Sequence, residues 1–372
     1  MGEDVSRNVV NMLRIEPLSA GHAKAIRAFN ERMRGSGDAA VFDLPETTAP
    51  ESEAARLIRA THFVVADEEE VRGGILAVDV PAWVAGAERE VSNYQSPLSE
   101  GIVDRRYASI GPMLIRFAQK RSPLAYMVGM GSETSPLARL LSAARWSIGS
   151  APFQFRVHSA RRTLKELRVA HATSFRSMFA AIAGGSGAAA VGFAFLQRPK
   201  TGIGGFSARI EKCWGDWADE IWEAFRCHCT FAMRRDRAAL EELFPAHDSR
   251  NIIIRIEREG ETRGWAACYD TQMRDHPHFG NLRVGAILDC LAQPDSMAET
   301  AALADRELAT LGADLVLTNQ THRLWVDAFR RAGFLSGPSN YVVALSPALA
   351  TACGGRESIH VTRADGDGRI HL

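Results

Sequence analysis

A pattern of strand, helix, glycine and strand occurs twice in this chain, and it constrains the fold more than any other feature of the sequence. In the later copy, residues 315–317 predict a short buried strand. Apolar residues recur at helical spacing from Leu324 to Ala332 and predict a helix with one apolar face. Gly333 can adopt the left-handed conformation that ends such a helix, and a further apolar run reaches Leu345.

The earlier copy aligns with the later one at an offset of 188 residues without any gap. Leu141 takes the place of Phe329, and Trp146 takes the place of Phe334. Few positions are identical, so the repeat lies in the pattern of apolar residues, and chance similarity is the alternative interpretation. Solenoid repeats have periods of roughly 20 to 50 residues. An offset this long therefore predicts two whole domains of the same fold.

The beginnings of the two halves also match. The segments Arg14–Glu16 and Arg209–Glu211 both read Arg-Ile-Glu, and each opens a predicted strand that leads into a helix. In each half a strand hairpin with a charged turn then follows, at 62–66 with 74–78 and at 251–256 with 264–269. These hairpins predict the second and third strands of each sheet.

Composition bounds the class of protein. The 372 residues suffice for two domains that each bury a core. The 44 basic and 44 acidic residues cancel, which removes the electrostatic basis for nucleic-acid binding. No apolar run approaches the roughly 20 residues that cross a bilayer. The six cysteines, in a sequence without a secretory signal, predict reduced thiols in a soluble cytoplasmic protein.

The segment Cys227-His228-Cys229 raises the question of a metal site. It lies within a helical apolar pattern that begins at Trp217, and it lacks a second pair of ligands at the spacing of a zinc site. Ordinary helix content is the better interpretation. We therefore expect no metal ion.

Cations and small residues follow one predicted strand of the first half. A tight loop contains Arg105, Arg106, Ser109, Ile110 and Gly111, and it leads into a helix. Backbone N–H groups at a helix start can hold a phosphate-like anion, with help from the helix dipole and a nearby cation. The sequence therefore predicts an anion site at this loop. The alternative is that Ser109 caps the helix while the arginines are solvated.

The corresponding loop of the second half, which begins at Gln293, has a different character. Ser296 and Glu299 have the spacing of a capping box, which would occupy the free N–H groups of the next helix. Asp295 and Glu299 also place negative charge where an anion would bind. We therefore predict that this copy is degenerate. The other polar candidates of this half, which we expect to be structural, are Asp289, Asn319 and His322.

The later copy of the repeat resembles the C-terminal part of the GNAT superfamily of acyl-coenzyme A N-acyltransferases. In that family a strand ends in Asn, and the next helix ends in an aromatic residue, three variable residues and Gly-Phe. Asn319, Phe329, Gly333 and Phe334 occupy those places, although the usual aromatic residue is Tyr.

The loop of the first half resembles the pyrophosphate loop of the same family, whose pattern is Q/R-x-x-G-x-G/A. Arg106, Ser109 and Gly111 match this pattern except at its first glycine. The resemblance implies that the loop from Arg105 to Gly111 binds acetyl-CoA or another acyl-CoA as co-substrate. It also implies that Glu100, in the strand before the loop, relays a proton from the acceptor amine. A solvated glutamate at a strand end is the alternative for Glu100.

Most of the chain is similar to bacterial tandem GNAT proteins associated with surface polysaccharide assembly, through residues 98–104, 129–131 and 152–153. This resemblance implies an α/β (α+β) fold with two tandem GNAT-like domains, each a mixed, mostly antiparallel twisted sheet flanked by helices. It implies acyl transfer to an amine, such as an amino sugar or polysaccharide precursor. The alternative is a degenerate, non-catalytic module that binds a glycan precursor or a partner protein, because Leu141 and Phe329 stand where the family has Tyr.

These patterns divide the chain into four parts. We expect an N-terminal GNAT-like domain with the acyl-CoA site at 1–158, a helical and apolar linker at 159–205, a C-terminal GNAT-like domain with a degenerate loop at 206–348, and a hairpin tail at 349–372. The linker begins with a basic amphipathic helix at 161–183. Packing between the domains is the first interpretation of that helix, and peripheral contact with the inner face of the membrane is the second.

Overall fold

The computed structural model describes residues 13–35, 43–47, 56–129, 131–169 and 195–366. In chain order, the strands are β1 (Arg14–Pro17), β2 (Arg59–Asp67), β3 (Glu70–Val84), β4 (Ala87–Ser99), β5 (Ala125–Val128), β6 (Ser147–Ser150), β7 (Phe153–Val157), β8 (Phe206–Glu211), β9 (Phe231–Met233), β10 (Ile252–Arg258), β11 (Glu261–Gln272), β12 (Arg283–Ala292), β13 (Leu315–Asn319), β14 (Leu335–Gly337), β15 (Val342–Leu345) and β16 (Ile359–His360). The helices are α1 (Ala23–Arg34), α2 (Ile110–Arg121), α3 (Pro136–Ala143), α4 (Ala160–Val169), α5 (Trp217–Arg226), α6 (Arg237–Leu243), α7 (Met297–Thr310), α8 (Arg323–Arg331) and α9 (Pro347–Cys353).

Two mixed sheets form the framework. The first has the strand order β1-β2-β3-β4-β5-β15-β6, with β9 paired to β3 and β16 paired to β9. The second has the order β14-β7-β13-β12-β11-β10-β8. Within the described ranges, the parallel pairs are β4 with β5, β9 with β16, and β12 with β13. Both sheets are therefore mostly antiparallel.

The two halves of the chain exchange one strand each. β7 follows β6 in sequence but pairs with β13 and β14 of the second sheet, where Phe155 lies opposite Leu317 and Leu335. β15 follows β14 but pairs with β5 and β6 of the first sheet, where Val343 lies opposite Val128. Each sheet therefore takes a strand from the other half of the chain, and we infer that the halves fold as one unit.

The repeat predicted from the apolar pattern is confirmed. An offset of 188 carries α3 onto residues 324–331, where α8 spans Arg323–Arg331. It carries β7 onto residues 341–345, where β15 spans Val342–Leu345. Leu141 and Phe329, which the alignment equates, are both fully buried. The two copies have apolar residues at aligned positions because these residues fill equivalent places in the core.

A continuous hydrophobic core joins the two sheets. Val80 and Tyr126 of the first half belong to the same buried cluster as Trp222, Trp265 and Phe329 of the second. A separate cluster packs α2 against the first sheet, and a third packs α1 against the same sheet. The predicted fold class is therefore confirmed: an α/β (α+β) chain with two mixed, mostly antiparallel sheets flanked by helices.

The predicted linker is described only in part. α4 packs against loops of the second half, because Arg162 donates a hydrogen bond to Asp314 and Glu166 accepts one from the N–H of Asn281 at 2.9 Å. Residues 170–183 of the predicted helix, and most of the apolar run after it, lie outside the described residues. In the described part of the chain, no helix is both long and apolar enough to span a membrane.

The predicted hairpin tail contains other elements in its described part. Its first residues belong to α9, and β16 pairs in parallel with β9. The Asp365 side chain accepts a hydrogen bond from the N–H of Thr362 at 2.7 Å and closes a short 3-10 turn. Residues 367–372, which belong to the predicted second strand, lie outside the described residues.

Candidate functional site

The parallel strands β4 and β5 separate in the middle of the first sheet. They pair at only two positions, the second of which joins Asn93 and Tyr126. Beyond that point β4 shifts its register against β3, and Ser96 has a left-handed φ of 45°. The backbone groups of β4 after Asn93 therefore have no partner on β5.

The equivalent strands of the second half also separate, but side chains close the space between them. β12 and β13 pair at 284–286 with 315–317, and β12 shifts register against β11 beyond that point. There the Thr318 hydroxyl donates a hydrogen bond to the carbonyl of Ile287 at 2.8 Å. Gln320 forms a β-bridge with Thr362 of the C-terminal segment. The second separation is thus filled by the chain itself.

A cleft of about 460 Å³ lies where the first separation meets the second half. Asn93 and Gln95 of β4 form one wall, and residues 364–366 form another. Arg250 and Tyr269 of the second half complete the polar lining. Both halves of the chain therefore line the cleft, and neither half could form it alone.

The charged groups at the cleft are paired. Arg250 donates to Asp248 with an Nη2 to Oδ2 distance of 2.8 Å. Asp365 accepts from Arg235 with an Oδ1 to Nη2 distance of 2.6 Å. The cleft therefore offers mainly amide, hydroxyl and apolar groups to a ligand.

The predicted anion loop leads into α2, and its helix start lacks a side-chain cap. The hydroxyl of Ser109 makes no capping hydrogen bond, so the alternative of a Ser109 cap is wrong. The N–H groups of Ile110 and Gly111, in the first turn, have no partner within the helix. A Cβ atom at Gly111 would lie 3.4 Å from Leu140. Among the described residues the helix start thus retains donors without a side-chain cap, and a Cβ at Gly111 would make an ordinary contact with Leu140.

The two predicted cations of the loop differ in their surroundings. Arg106 donates to Asp104 with an Nη2 to Oδ2 distance of 2.6 Å, and this hydrogen bond lowers the pKa of Asp104. Arg105 is exposed and forms no ion pair with the described residues. Arg105 is therefore available to an anion directly, whereas Arg106 must first leave Asp104.

Glu100 lies in a 3-10 turn just after β4 ends and is only 4% exposed. Its carboxylate accepts hydrogen bonds from Arg32 at 2.8 and 3.1 Å. Arg72 Nη1 lies 3.2 Å from both carboxylate oxygens. The prediction that Glu100 lies in a strand is wrong, because the bulged strand β4 ends at Ser99. The alternative of a solvated glutamate is also wrong, because the carboxylate is buried. Glu100 joins α1, β3 and the loop.

The predicted capping box of the second half is not formed. The Ser296 hydroxyl donates to Asp295 at 2.8 Å, and Ser296 makes no capping hydrogen bond. The Glu299 carboxylate accepts from the hydroxyl of Thr201 at 2.5 Å. Gln293 accepts from Arg263 at 2.6 Å. A residue of the linker therefore contacts the first turn of α7, which local spacing alone could not indicate.

A fully buried ion cluster lies behind the cleft wall. Arg235 donates to Asp289 and to Asp365, and His360 Nε2 lies 3.5 Å from Asp289 Oδ1. Burial acts to raise the pKa of Asp289, but the charge of Arg235 and the proximity of His360 outweigh it, so this pKa is lowered. The cluster fixes the C-terminal segment to β12. The sequence predicts Asp289 as a structural candidate but not Arg235, because no local pattern around Arg235 indicates a buried ion pair.

The cysteine segment of the second half follows α5 rather than lying inside it, because that helix ends at Arg226. Cys227 is exposed and Cys229 is buried. Within the described ranges, no group of three or more His, Cys, Asp or Glu side chains is arranged to hold a metal ion.

Comparison with solved structures identifies proteins of similar fold. No family model and no curated protein matches the chain. N-myristoyltransferase from Saccharomyces cerevisiae, solved with bound myristoyl-CoA, is similar with a TM-score of 0.52 and 12% identity, over 90% of this chain and 79% of that chain. A tandem GNAT protein from the clavulanic acid biosynthesis pathway aligns with a TM-score of 0.48 and 12% identity, over 90% of this chain and 98% of that chain. The chain therefore shares the fold of N-myristoyltransferase.

Proposed function

We propose that the chain is an acyl-CoA-dependent N-acyltransferase whose first half binds acyl-CoA and whose cleft receives an amine. The observation that carries this proposal is the separation of β4 from β5 after Asn93 and Tyr126, beside the uncapped start of α2. N-myristoyltransferase has the same fold and was solved with bound myristoyl-CoA, which supports acyl-CoA as the co-substrate here.

The loop and the separated strand have complementary roles in this proposal. Arg105, Arg106, Ser109, Ile110 and Gly111 bind the pyrophosphate through backbone N–H groups and guanidinium charge. The backbone groups of β4 that have no partner on β5 bind the amide-containing arm of the coenzyme by hydrogen bonds. This arrangement directs the thioester toward the cleft, where an acceptor can reach it.

The reaction is aminolysis of a thioester. The neutral amine nitrogen attacks the thioester carbonyl, a C–N bond forms, and the C–S bond breaks. The nitrogen loses a proton and the thiolate of coenzyme A gains one, directly or through water. Backbone N–H groups of β4 stabilise the oxyanion. Glu100 holds the loop in place in this scheme instead of relaying the proton, because Arg32 and Arg72 occupy its carboxylate.

The acceptor class implied by the sequence resemblance is an amino sugar or polysaccharide precursor. The uncharged polar groups of Gln95 and Tyr269 support an acceptor of this kind, since amide and hydroxyl groups hydrogen-bond to sugar hydroxyls. An acceptor that carries several phosphates has less support, because Arg250 is already paired with Asp248.

The second candidate function is a non-catalytic module that binds a glycan precursor or a partner protein. It is favoured by the buried Leu141 and Phe329 at positions where the resembled family has Tyr, and by the full pairing of Glu100. Binding of acyl-CoA separates the two functions, because the module needs none.

A subsidiary hypothesis is that the linker helix contacts the membrane surface. Arg161 and Lys165 are exposed on α4 and support it, whereas Arg162 is already paired with Asp314. Flotation with anionic liposomes at low salt tests this hypothesis. Protein that stays with the soluble fraction contradicts it.

The proposed function is tested with purified protein, acetyl-CoA and D-glucosamine. Calorimetry should detect acetyl-CoA binding, and mass spectrometry should detect N-acetylglucosamine and free coenzyme A. Gly111→Asp should abolish acetyl-CoA binding, because it places a carboxylate at the N–H donors, and Gly111→Ala, whose Cβ brings no charge, is its matched control. Folded protein that binds no acetyl-CoA overturns the proposal. Binding of acetyl-CoA without transfer to D-glucosamine retains the co-substrate and contradicts this acceptor.

A further inference from the structure

Asn93 has a buried oxygen atom without a hydrogen-bond partner. Its side chain is 2% exposed, and it lines the cleft at the last paired position of β4 and β5. Its Nδ2 donates to the backbone carbonyl of Asp365 at 2.5 Å. Its Oδ1 has no partner among the residues that the structure describes. An unsatisfied buried acceptor is unfavourable, and because this one lies on the cleft wall, a ligand in the cleft can supply the missing donor.

The neighbouring carbonyl fixes which end of the Asn93 amide is free. A carbonyl oxygen can only accept, so the NH₂ group must face Asp365. Rotation of the amide by half a turn would bring two oxygens together. The free group is therefore the oxygen, and it can bind only a donor.

The surroundings of Asn93 limit the rest of the ligand. Ile58, Val78 and Val80 provide apolar walls, and Gln95 and Tyr269 add uncharged polar groups. The charged groups of the lining are already paired with Asp248 or Arg235, as described above. The cleft therefore fits a donor that is attached to an uncharged body.

We propose that Asn93 Oδ1 binds the acceptor nitrogen, accepting an N–H hydrogen bond from a primary amine on an uncharged body. This inference rests on the proposed function. With one N–H held by Asn93, the lone pair of the neutral amine can face the thioester carbonyl at the separation of β4 and β5. The C–N bond then forms as the C–S bond breaks, and the proton lost by nitrogen passes to the thiolate.

The test compares two probes, benzylamine and benzyltrimethylammonium, which share a ring but differ in that the second has no N–H donor. Wild-type protein should bind benzylamine about tenfold more tightly, as expected for one hydrogen bond from a charged or polar nitrogen. Asn93→Leu should remove this preference. Gln320→Leu is the matched control, because Gln320 is also a buried amide with an unpartnered oxygen but lies outside the cleft lining. It should keep the preference.

A crystal of the wild-type protein with benzylamine provides a measurement that does not depend on the folding of a variant. The nitrogen should lie about 3 Å from Asn93 Oδ1. No benzylamine binding, equal binding of both probes, or a nitrogen placed elsewhere overturns the inference. Acetyl-CoA affinity is measured in parallel. If the protein binds amine through Asn93 but does not bind acetyl-CoA, this site is sustained and the proposed function is overturned. If it binds acetyl-CoA but shows no Asn93-dependent amine binding, this inference is overturned and the proposed function is sustained.

Discussion

The partly exposed Arg32 and the buried Glu100 form an ion pair that joins α1 to the loop before α2. Arg32 Nε lies 2.8 Å from Glu100 Oε1, and Arg32 Nη2 lies 3.1 Å from Oε2. Arg72 contacts the same carboxylate from β3. One carboxylate between two arginines is therefore the point at which three elements fix the position of the candidate acyl-CoA loop.

Replacement of Glu100 should change stability and coenzyme binding more than chemistry. Glu100→Ala leaves Arg32 and Arg72 without their shared partner, and we expect the free energy of unfolding to fall by about 2 kcal/mol, because Arg32 is partly exposed and Arg72 also pairs with Glu70. Glu100→Gln keeps hydrogen-bonding capacity and should raise KM for acetyl-CoA with kcat largely retained. Urea unfolding and steady-state kinetics measure these effects. A fall in kcat of about 100-fold or more in Glu100→Gln, with unchanged KM, would instead identify Glu100 as the base.

Asp104 competes with a bound anion for Arg106. The two side chains form an exposed ion pair, so the competition is weak. Asp104→Asn preserves an oxygen that can cap the following turn but removes the charge. We expect acetyl-CoA affinity to rise by up to about fivefold, with a steeper dependence on salt. Titration calorimetry at two salt concentrations measures both. Weaker binding by this variant would mean that Arg106 acts only when it is held by Asp104.

Stability should depend on pH through His322. Burial first, and then the nearby His360, lower the pKa of His322 from 6.5 to about 4. The unfolded chain therefore binds more protons than the folded chain between these two pH values. The contribution of this group is complete above about pH 6.5, and we expect about 3 kcal/mol to be lost as the pH falls toward 4. Urea unfolding across this range should show a shallower pH dependence in His322→Gln. Identical profiles for the two proteins would refute the assignment.

The parts of the fold that the sequence could predict depend on local pattern. Apolar spacing in α8 and the Gly333 helix end are properties of adjacent residues, so they indicate the element directly. The exchange of β7 and β15 could not be predicted in this way. Phe155 is fully buried and fits either sheet by its apolar character, and the choice of sheet depends on pairing with residues far away in the sequence.

The candidate site shows the same division. The loop from Arg105 to Gly111 could be predicted, because a helix start with cations has a local signature. The pairing of Arg106 with Asp104 is also local, because the two residues are close in sequence. The partner of Glu299 is Thr201, which is distant in sequence. The orientation of the Asn93 amide, which leaves its oxygen without a partner, depends on the path of residues 364–366. Such long-range contacts leave no trace in residue spacing.

We expect the two halves of the chain to bind pyrophosphate unequally. Neither helix start has a side-chain cap within the described residues, but Arg105 lies beside the first, whereas Glu299 lies in the first turn of α7 and Gln293 is bound to Arg263. Pyrophosphate should therefore be attracted by the first helix start and repelled by the second.

Acetyl-CoA affinity, measured by calorimetry in Gly111→Asp, Gly111→Ala and Gln293→Ala, tests this claim most directly. Gly111→Asp should abolish binding, because it places a carboxylate at the donors, and Gly111→Ala should retain most of it. Gln293→Ala should bind within the few tenths of a kcal/mol that a neutral substitution typically changes. Loss of binding in Gln293→Ala with retention in Gly111→Asp would contradict the account and assign acyl-CoA to the second half.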